Sequence, residues 1–349
     1  MLDLATLGWD DAWATAFEPH AASGLLPGRV TIQHRGEYDV LTADGEVRAG
    51  LPGRARRDAT SVSELPVVGD WVALEERERG TSLVREVLPR RTAFSRRAAH
   101  DPPSGASREQ VVAANVDVVF VTLSIVAELD RRLVERYLTL VLESGARPVL
   151  LLTKADLEDD PDAVAAELAN VSGDVPVVLL SVRSGLGLEA VRAHLGEGIT
   201  GALVGPSGAG KSTLVNALVG EERLATGTVA ADGAGRHTTT RRELVVLPGG
   251  GLLVDNPGMR EVHLWLANEG FDEAFADIAA LAAECKFADC RHESEPGCAV
   301  RAAVEAGRLD AKRFRSYLAL RRELVELEER LVRRGRSRAR RGRPGAGAS

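Results

Sequence analysis

The chain has 349 residues, 44% of them hydrophobic, and a formal net charge of −7. That length allows two or three domains, and the apolar share supports buried cores, which excludes an intrinsically disordered chain. The negative balance excludes a uniformly basic nucleic-acid coat, and no apolar run reaches the ~18 residues that a membrane span needs. The three cysteines all fall between Cys285 and Cys298, an odd and clustered set that does not build a disulfide framework. With Met1-Leu2-Asp3-Leu4 in place of a charged-then-apolar leader, the expectation is a soluble, cytoplasmic protein.

Residues 1–28 read as an irregular or weakly helical extension ending at Leu26-Pro27-Gly28. From 29 to 108 the pattern turns to short alternating runs: Val30 to Ile32, Tyr38 to Val40, Val47 to Ala49, Asp70 to Leu74 and Leu83 to Val87. Gly36, Asp44-Gly45, Pro52-Gly53, Gly69 and Gly80 punctuate them. Short strands so spaced suit a small closed barrel, and the five-stranded oligonucleotide-binding (OB) barrel is the leading form. The stretch from Arg90 to Arg108 holds five arginines and one acid, which suggests an RNA-facing rim.

From 109 to 262 strands alternate with helices. Asp117 to Leu123 is a continuous apolar run, as a strand buried on both faces requires. A helix at about Arg131 to Glu143, a strand from Pro148 to Leu152 and a helix from Pro161 to Asn170 follow. Then come a strand at Val175 to Ser181, a helix at Leu188 to Leu195, and a strand at Ala202 to Val204 that runs into a glycine-rich loop. Leu244 to Leu247 and Leu252 to Val254 add two strands, so a parallel, doubly wound α/β sheet is predicted. Residues 263–332 become helical, with Tyr317, Leu320, Leu324, Leu327 and Leu331 on one stripe. From Arg330 to Arg343 there are eight arginines and no acid, so 333–349 is expected to be a disordered tail, either solvated or able to meet phosphate backbones.

Gly205-Pro206-Ser207-Gly208-Ala209-Gly210-Lys211-Ser212, followed by Thr213, matches the phosphate-loop pattern in full. A buried strand precedes it and a helix from Lys211 to Leu218 follows, so backbone N–H groups at the helix start form an anion cradle. Lys211 is placed to reach the β- and γ-phosphates and Ser212 to hold Mg²⁺. Only four of the 44 basic residues are lysine, and one of them stands here, where a compact ammonium suits a tight cradle. Asp255, at the end of a strand, can hold Mg²⁺, and Gly258 lets a backbone N–H approach the γ-phosphate. By itself Asp255-Asn256-Pro257-Gly258 is also a good turn. Between these motifs, Gly233 to Thr240 reads as a switch segment that supplies a threonine to the metal, or as an ordinary loop.

Thr153-Lys154-Ala155-Asp156 follows a buried strand. Guanine presents two adjacent N–H donors that one carboxylate can accept, so Asp156 selects guanine, while the stem of Lys154 can cover the ring. Ser181-Val182-Arg183 ends the next strand, where a backbone N–H could meet the guanine carbonyl. Finally, Cys285, Cys290, His292 and Cys298 offer three thiolates and one imidazole, a closed tetrahedral set for one structural Zn²⁺.

Together these motifs resemble those of the translation-factor-type GTPases, but in rotated order: the base-reading motif comes before the phosphate loop. With a barrel ahead and the cysteine cluster behind, the chain resembles the bacterial small-subunit-dependent GTPases of the RsgA (YjeQ/YloQ) family over about residues 29–330. Pro66 to Val72, Gln110 to Asp117, Gly235 to Thr240 and Asp289 to His292 match further. The resemblance implies a circularly permuted P-loop GTPase that binds the small (30S) ribosomal subunit and its rRNA late in maturation, hydrolyses GTP and leaves, acting as a monomer. It implies Thr239 in the Mg²⁺ shell and His237 as the residue positioning water, because Met259 stands where many GTPases carry a glutamine. Thr153 departs from the commoner asparagine and Asn256 from a hydroxyl residue. Two other readings stay open: a nucleotide-switched rRNA-binding module with incidental hydrolysis, and a metabolic ATPase or kinase, which Asp156 disfavours.

Overall fold

The structure, a computed structural model, describes residues 2–34, 36–53, 64–77, 80–97, 109–220, 242–255 and 268–341. Strands β1 (Leu26–Gln33), β2 (Glu37–Thr42), β3 (Gly45–Gly50), β4 (Trp71–Glu75) and β5 (Ser82–Val87) pair in the order β1-β2-β3-β5-β4 and back to β1. The β3–β5 pair is parallel and the rest antiparallel, so the ring closes as the OB barrel predicted from the turn spacing. Val30, Tyr38, Val40, Ala49, Val72, Leu74 and Val84 fill it.

The extension is more ordered than its composition suggests. A 3₁₀ turn at Leu4–Leu7 and helix α1 (Asp11–Ala21) precede the barrel, each capped by an aspartate, Asp3 and Asp10. Leu7, Trp13 and Phe17 are buried, and Trp9 and Trp13 pack around Trp71 of the barrel with centroids at 4.7 and 6.2 Å. The Leu26-Pro27-Gly28 segment, expected to end the extension, is the start of β1.

Hairpin strands β6 (Ala93–Arg97) and β7 (Glu109–Ala114) pair across residues 108/109, where the sequence reading sets a boundary. Two arginines of the expected RNA rim have other work. Arg90 grips Asp70 through Nε and one terminal nitrogen at 2.7 and 2.8 Å, and Arg91 clasps Asp10 at 2.5 and 2.6 Å. Asp70 in turn accepts from the Val67 N–H, which fixes the turn ahead of β4.

The parallel part of the main sheet comprises β8 (Val118–Ser124), β9 (Arg147–Thr153), β10 (Val177–Leu180), β11 (Thr200–Val204) and β13 (Leu252–Asp255), with antiparallel β12 (Glu243–Val246) beside β13. Their spatial order is β10-β9-β8-β11-β13-β12, and β12 then meets β1 at Glu243 and Ile32, which joins this sheet to the barrel. Helices α2 (Arg131–Glu143), α3 (Pro161–Ser172), α4 (Leu188–Ala193) and α5 (Lys211–Val219) cover its two faces. Asp130 and Asp160 cap α2 and α3.

The C-terminal part holds α6 (Asn268–Ala274), α7 (Ala276–Ala282), α8 (Ala299–Glu305) and α9 (Ala311–Arg341). Gly270 lies directly on α2, where an added Cβ would meet the backbone of Glu143 and Thr139 at 2.3 and 2.5 Å. Arg313 of α9 ties Asp277 of α7 (2.7 Å from each of two nitrogens), buried Glu135 of α2 (3.3 Å) and the Val171 carbonyl of α3 (3.4 Å). Arg131 pairs with Asp310, just ahead of α9, and Arg136 pairs with Glu323 of α9. Where a disordered tail is expected from 333, α9 continues to Arg341: the arginine-rich run propagates a helix already nucleated and packed upstream.

One buried side chain rivets the extension, the barrel and the main sheet together. Arg29 of β1 donates to the carbonyls of Gly69, Leu7 and Asn115 and to the Thr200 hydroxyl, with its guanidinium 5.5 Å from the Trp71 ring. Burial draws its pKa down to about 10, still far above neutral pH, so the charge is retained. Thr200 opens β11, the strand leading to the phosphate loop. Arg29→Met would leave these acceptors unpaired, and a loss of about 3 kcal/mol in urea unfolding is expected; Arg29→Lys, which lacks the fork, should recover less than half of it.

Candidate nucleotide site and metal centre

The phosphate loop follows β11 without a break. Gly205 has φ 138° and lies so close to β8 that an added Cβ would meet the Thr122 carbonyl oxygen at 2.2 Å. Glycine is required there by both conformation and contact. Gly208 and Gly210 turn through φ 78° and 85°, and Gly210 caps α5. Lys211 donates to the carbonyls of Gly205 (2.7 Å) and Pro206 (2.6 Å), so its ammonium spans the loop. Ser207, Gly208 and Thr213 are exposed, Pro206, Gly210, Lys211 and Ser212 half-buried, and Ala209 buried.

Two strands away in the sheet, β9 ends in Thr153. Its hydroxyl lies 2.8 Å from the Ala209 carbonyl of the phosphate loop and 3.0 Å from the Leu123 carbonyl of β8. Lys154 adopts φ 60°, which turns the chain into a 3₁₀ turn at Ala155–Leu157; Ala155 is buried there and Asp156 exposed. Ser181, at the end of β10, donates from its hydroxyl to Asp156 Oδ1 at 2.6 Å and accepts from the Ser184 N–H. Its own N–H goes to the Leu186 carbonyl, so of the Ser181-Val182-Arg183 segment it is not Ser181 that can offer a backbone donor to a base. Val182 follows, half-buried.

The structure thus gathers Gly205 to Thr213, Thr153 to Asp156 and Ser181 along one rim of the sheet, at the C-terminal ends of β11, β9 and β10. Asp255 ends β13, adjacent to β11 on the same rim. His237, Thr239 and Gly258, with Met259, lie outside the described residues. Two features escaped sequence reading. The Ser181 hydroxyl orients the Asp156 carboxylate, a pairing hidden by the 25-residue separation. Ser124, directly across from Thr153 at the end of β8, has a buried hydroxyl without a partner among the described residues. Its one sequence signal is a hydroxyl closing an otherwise apolar run.

Cys285, Cys290, His292 and Cys298 come together with all four ligand atoms within 4.8 Å of one another. Cys285 Sγ is 3.9 Å from Cys298 Sγ and 3.6 Å from His292 Nδ1, which is 3.4 Å from Cys298 Sγ. A tetrahedron with metal–sulfur bonds of ~2.3 Å has edges of about 3.8 Å, so the donors fit one metal ion and leave no open position. Burial, with Arg321 nearby, holds His292 below its ordinary pKa, in the neutral form that ligates. The His292 backbone takes φ 62°, and its Nδ1 faces the thiols six and seven residues away.

The fold and this rim define a P-loop GTPase whose domain is circularly permuted: the base-reading strand precedes the phosphate-loop strand in the chain yet keeps its place in the sheet. Comparisons with known proteins agree. The model of the RsgA GTPase family matches residues 87–265. The small ribosomal subunit biogenesis GTPase RsgA of Opitutus terrae is 46% identical over 333 residues, 92% of this chain and 90% of that one. Its namesake from Streptomyces coelicolor is 48% identical over 341 residues, 97% and 90%. The crystal structure of YjeQ from Thermotoga maritima aligns with a TM-score of 0.64 at 27% identity, covering 86% of this chain and 99% of that one. The chain belongs to the RsgA GTPase family, and it is a GTPase.

Elemental analysis of the purified full chain is expected to find one tightly held metal ion. Cys290→Ser with Cys298→Ser should abolish it and destabilise the α7–α8 region, seen as faster amide exchange there than in α5.

Proposed function

We propose that this chain hydrolyses GTP while bound to the small ribosomal subunit and its rRNA, assists or checks a late step of that subunit's maturation, and then departs. The relatives at 46% and 48% identity are named for small ribosomal subunit biogenesis, and this chain covers 90% of each. The observation that supports the nucleotide half of the reading is the sheet order β10-β9-β8-β11-β13, in which Thr153 to Asp156, Gly205 to Ser212 and Asp255 all follow or end strands on one rim.

In this reading Gly205 to Thr213 cradle the phosphates, and Lys211 leaves the loop carbonyls to meet the β- and γ-phosphates. Ser212, Thr239 and Asp255 would hold Mg²⁺, which would supply positive charge against the phosphates. Asp156, held by Ser181, accepts both N–H donors of guanine, with Lys154 over the ring. Gly258 gives a backbone N–H to the γ-phosphate, and His237 orients the attacking water in place of the glutamine that Met259 replaces. Intrinsic hydrolysis is therefore slow, and the ribosomal subunit accelerates it. The ion at the cysteine cluster is zinc, in a structural role, because three thiolates and an imidazole complete its preferred tetrahedron. The protein works as a monomer in the cytoplasm.

GTP turnover titrated with purified small and large ribosomal subunits tests the reading. The expected result is stimulation of at least about tenfold by small subunits alone. Equal effects of both subunits, or none, would count against the ribosomal role while leaving the GTPase assignment in place. His237→Ala should keep GTP affinity within about twofold and lose most of that stimulation; full stimulated turnover in this variant removes His237 from the mechanism.

A further inference from the structure

The four metal donors ride on a stretch without regular structure. Helix α7 ends at Ala282 and α8 begins at Ala299, so residues 283–298 have neither a helical nor a sheet ladder to hold them. Within that stretch His292 sits in the left-handed region at φ 62°, which a Cβ disfavours. A residue so placed relaxes to the common regions unless its surroundings fix it.

Glu295 supplies the fixing contacts. Its Oε1 accepts from the Arg291 N–H at 3.1 Å, and its Oε2 accepts from the N–H groups of Glu293 and Ser294, both at 3.0 Å. These donors flank His292, so one carboxylate pins the peptides before and after it. Backbone N–H groups, its own first and then that of Arg291, hold its carboxyl at about 2, and the anion persists at neutral pH. Both oxygens are engaged, and Glu295 stands outside the set of converging ligand atoms, so it is not a fifth donor. Three thiolates and a divalent ion leave the centre with net negative charge, so the carboxylate does not serve by balancing charge. What it supplies is geometry. The adjacent acid, Glu293, is turned elsewhere: it accepts from Arg322 of α9 at 2.8 and 3.2 Å.

We propose that Glu295 is the positioning residue of the metal centre: by gathering the N–H groups around His292 it keeps the imidazole on the metal and slows the metal's release. This rests on reading Cys285, Cys290, His292 and Cys298 as one metal site. A ligand held by its own backbone rebinds before a second bond opens, whereas a loosened loop lets the imidazole drift and water take its place. The same loop seats α9, through Arg322 to Glu293 and Arg321 to the Cys290 carbonyl at 3.5 Å, so Glu295 also shapes the surface on which that helix rests.

Transfer of Zn²⁺ from the loaded full chain to a chromogenic chelator gives the release rate, and the d–d absorption of the Co²⁺-loaded chain reports the ligand set. Glu295→Ala is expected to release the ion at least about tenfold faster than the parent, the usual effect of losing a group that orients a ligand. Its Co²⁺ bands should move away from the parent's, toward those of His292→Ala. Glu295→Gln, which keeps one accepting oxygen, should fall between on both readouts, and it carries the test alone if the alanine variant does not fold. Glu293→Gln should keep the parent's rate and bands, which separates the clamp from a general loss of negative charge in the loop. Parent-like release from the Glu295 variants overturns the proposal. So does faster release with parent bands, since the imidazole would then stay in place without the clamp. If the parent chain takes up no metal, it is the metal-site reading that fails, and the proposal with it.

Discussion

The main sheet's hydrogen-bond ladder is the constraint on which the site depends. β11 pairs in parallel with β8 on one side and β13 on the other, so the strand carrying the phosphate loop occupies the centre whatever its place in the chain. Parallel strands present their C-terminal ends to one rim, and loops leaving that rim meet there. Chain order therefore matters little to the assembled site. It matters a great deal to what each strand is tethered to.

Permutation places the tethers in unusual positions. The strand that opens the nucleotide domain, β8, is fed by the β6–β7 hairpin, and the barrel adds its own β1 to the edge of β12. Asp255, at the end of β13, runs on toward α6, whose Gly270 is pressed against α2 backbone to backbone. Arg313, Arg131 and Arg136 then bind α9 and α2 through ion pairs, one of them to a carboxylate, Glu135, that is almost wholly buried. Burial raises the pKa of Glu135, and its second oxygen has no partner among the described residues. A pair of this kind contributes little net stability and specifies geometry, since moving either partner leaves a charge stranded. The metal-bearing region is thus docked on the nucleotide domain by shape and charge together. Movement within it would have to break several such contacts at once.

Much of the site could be read from residues alone, because its motifs are local. Gly205 to Ser212 and Thr153 to Asp156 are each contiguous, and glycine spacing or a Lys-x-Asp after an apolar run declares them. The cysteine cluster is contiguous enough that its donor count and spacing point to a site for one metal ion. The same holds for β8 to β13, whose cores are short continuous apolar runs, and for α2, which starts and ends where its stripe does. The reading missed what is carried between distant residues. Arg90 and Arg91 read as part of a basic rim, and the structure adds an aspartate partner to each, 20 and 81 residues away. The extension looks irregular because its polar caps and scattered aromatics have no period, and its order comes from Trp71 and Arg29 in the barrel.

By itself the sequence determined the inventory: a barrel of short alternating strands, a doubly wound parallel sheet, a phosphate loop, a Lys-x-Asp segment proposed to read guanine, and a closed set of donors that fits one metal ion. Those follow from periodicity and from contiguous side-chain chemistry, which depend on neighbours a few positions away. Only the tertiary structure decided how the pieces are coupled. It made Arg29 the rivet between barrel and phosphate-loop strand, gave Ser181 its hold on Asp156, and set the Thr153 hydroxyl between two carbonyls. Each is a hydrogen bond across 25 residues or more, and its partner is chosen by strand register and close packing, which no local pattern encodes.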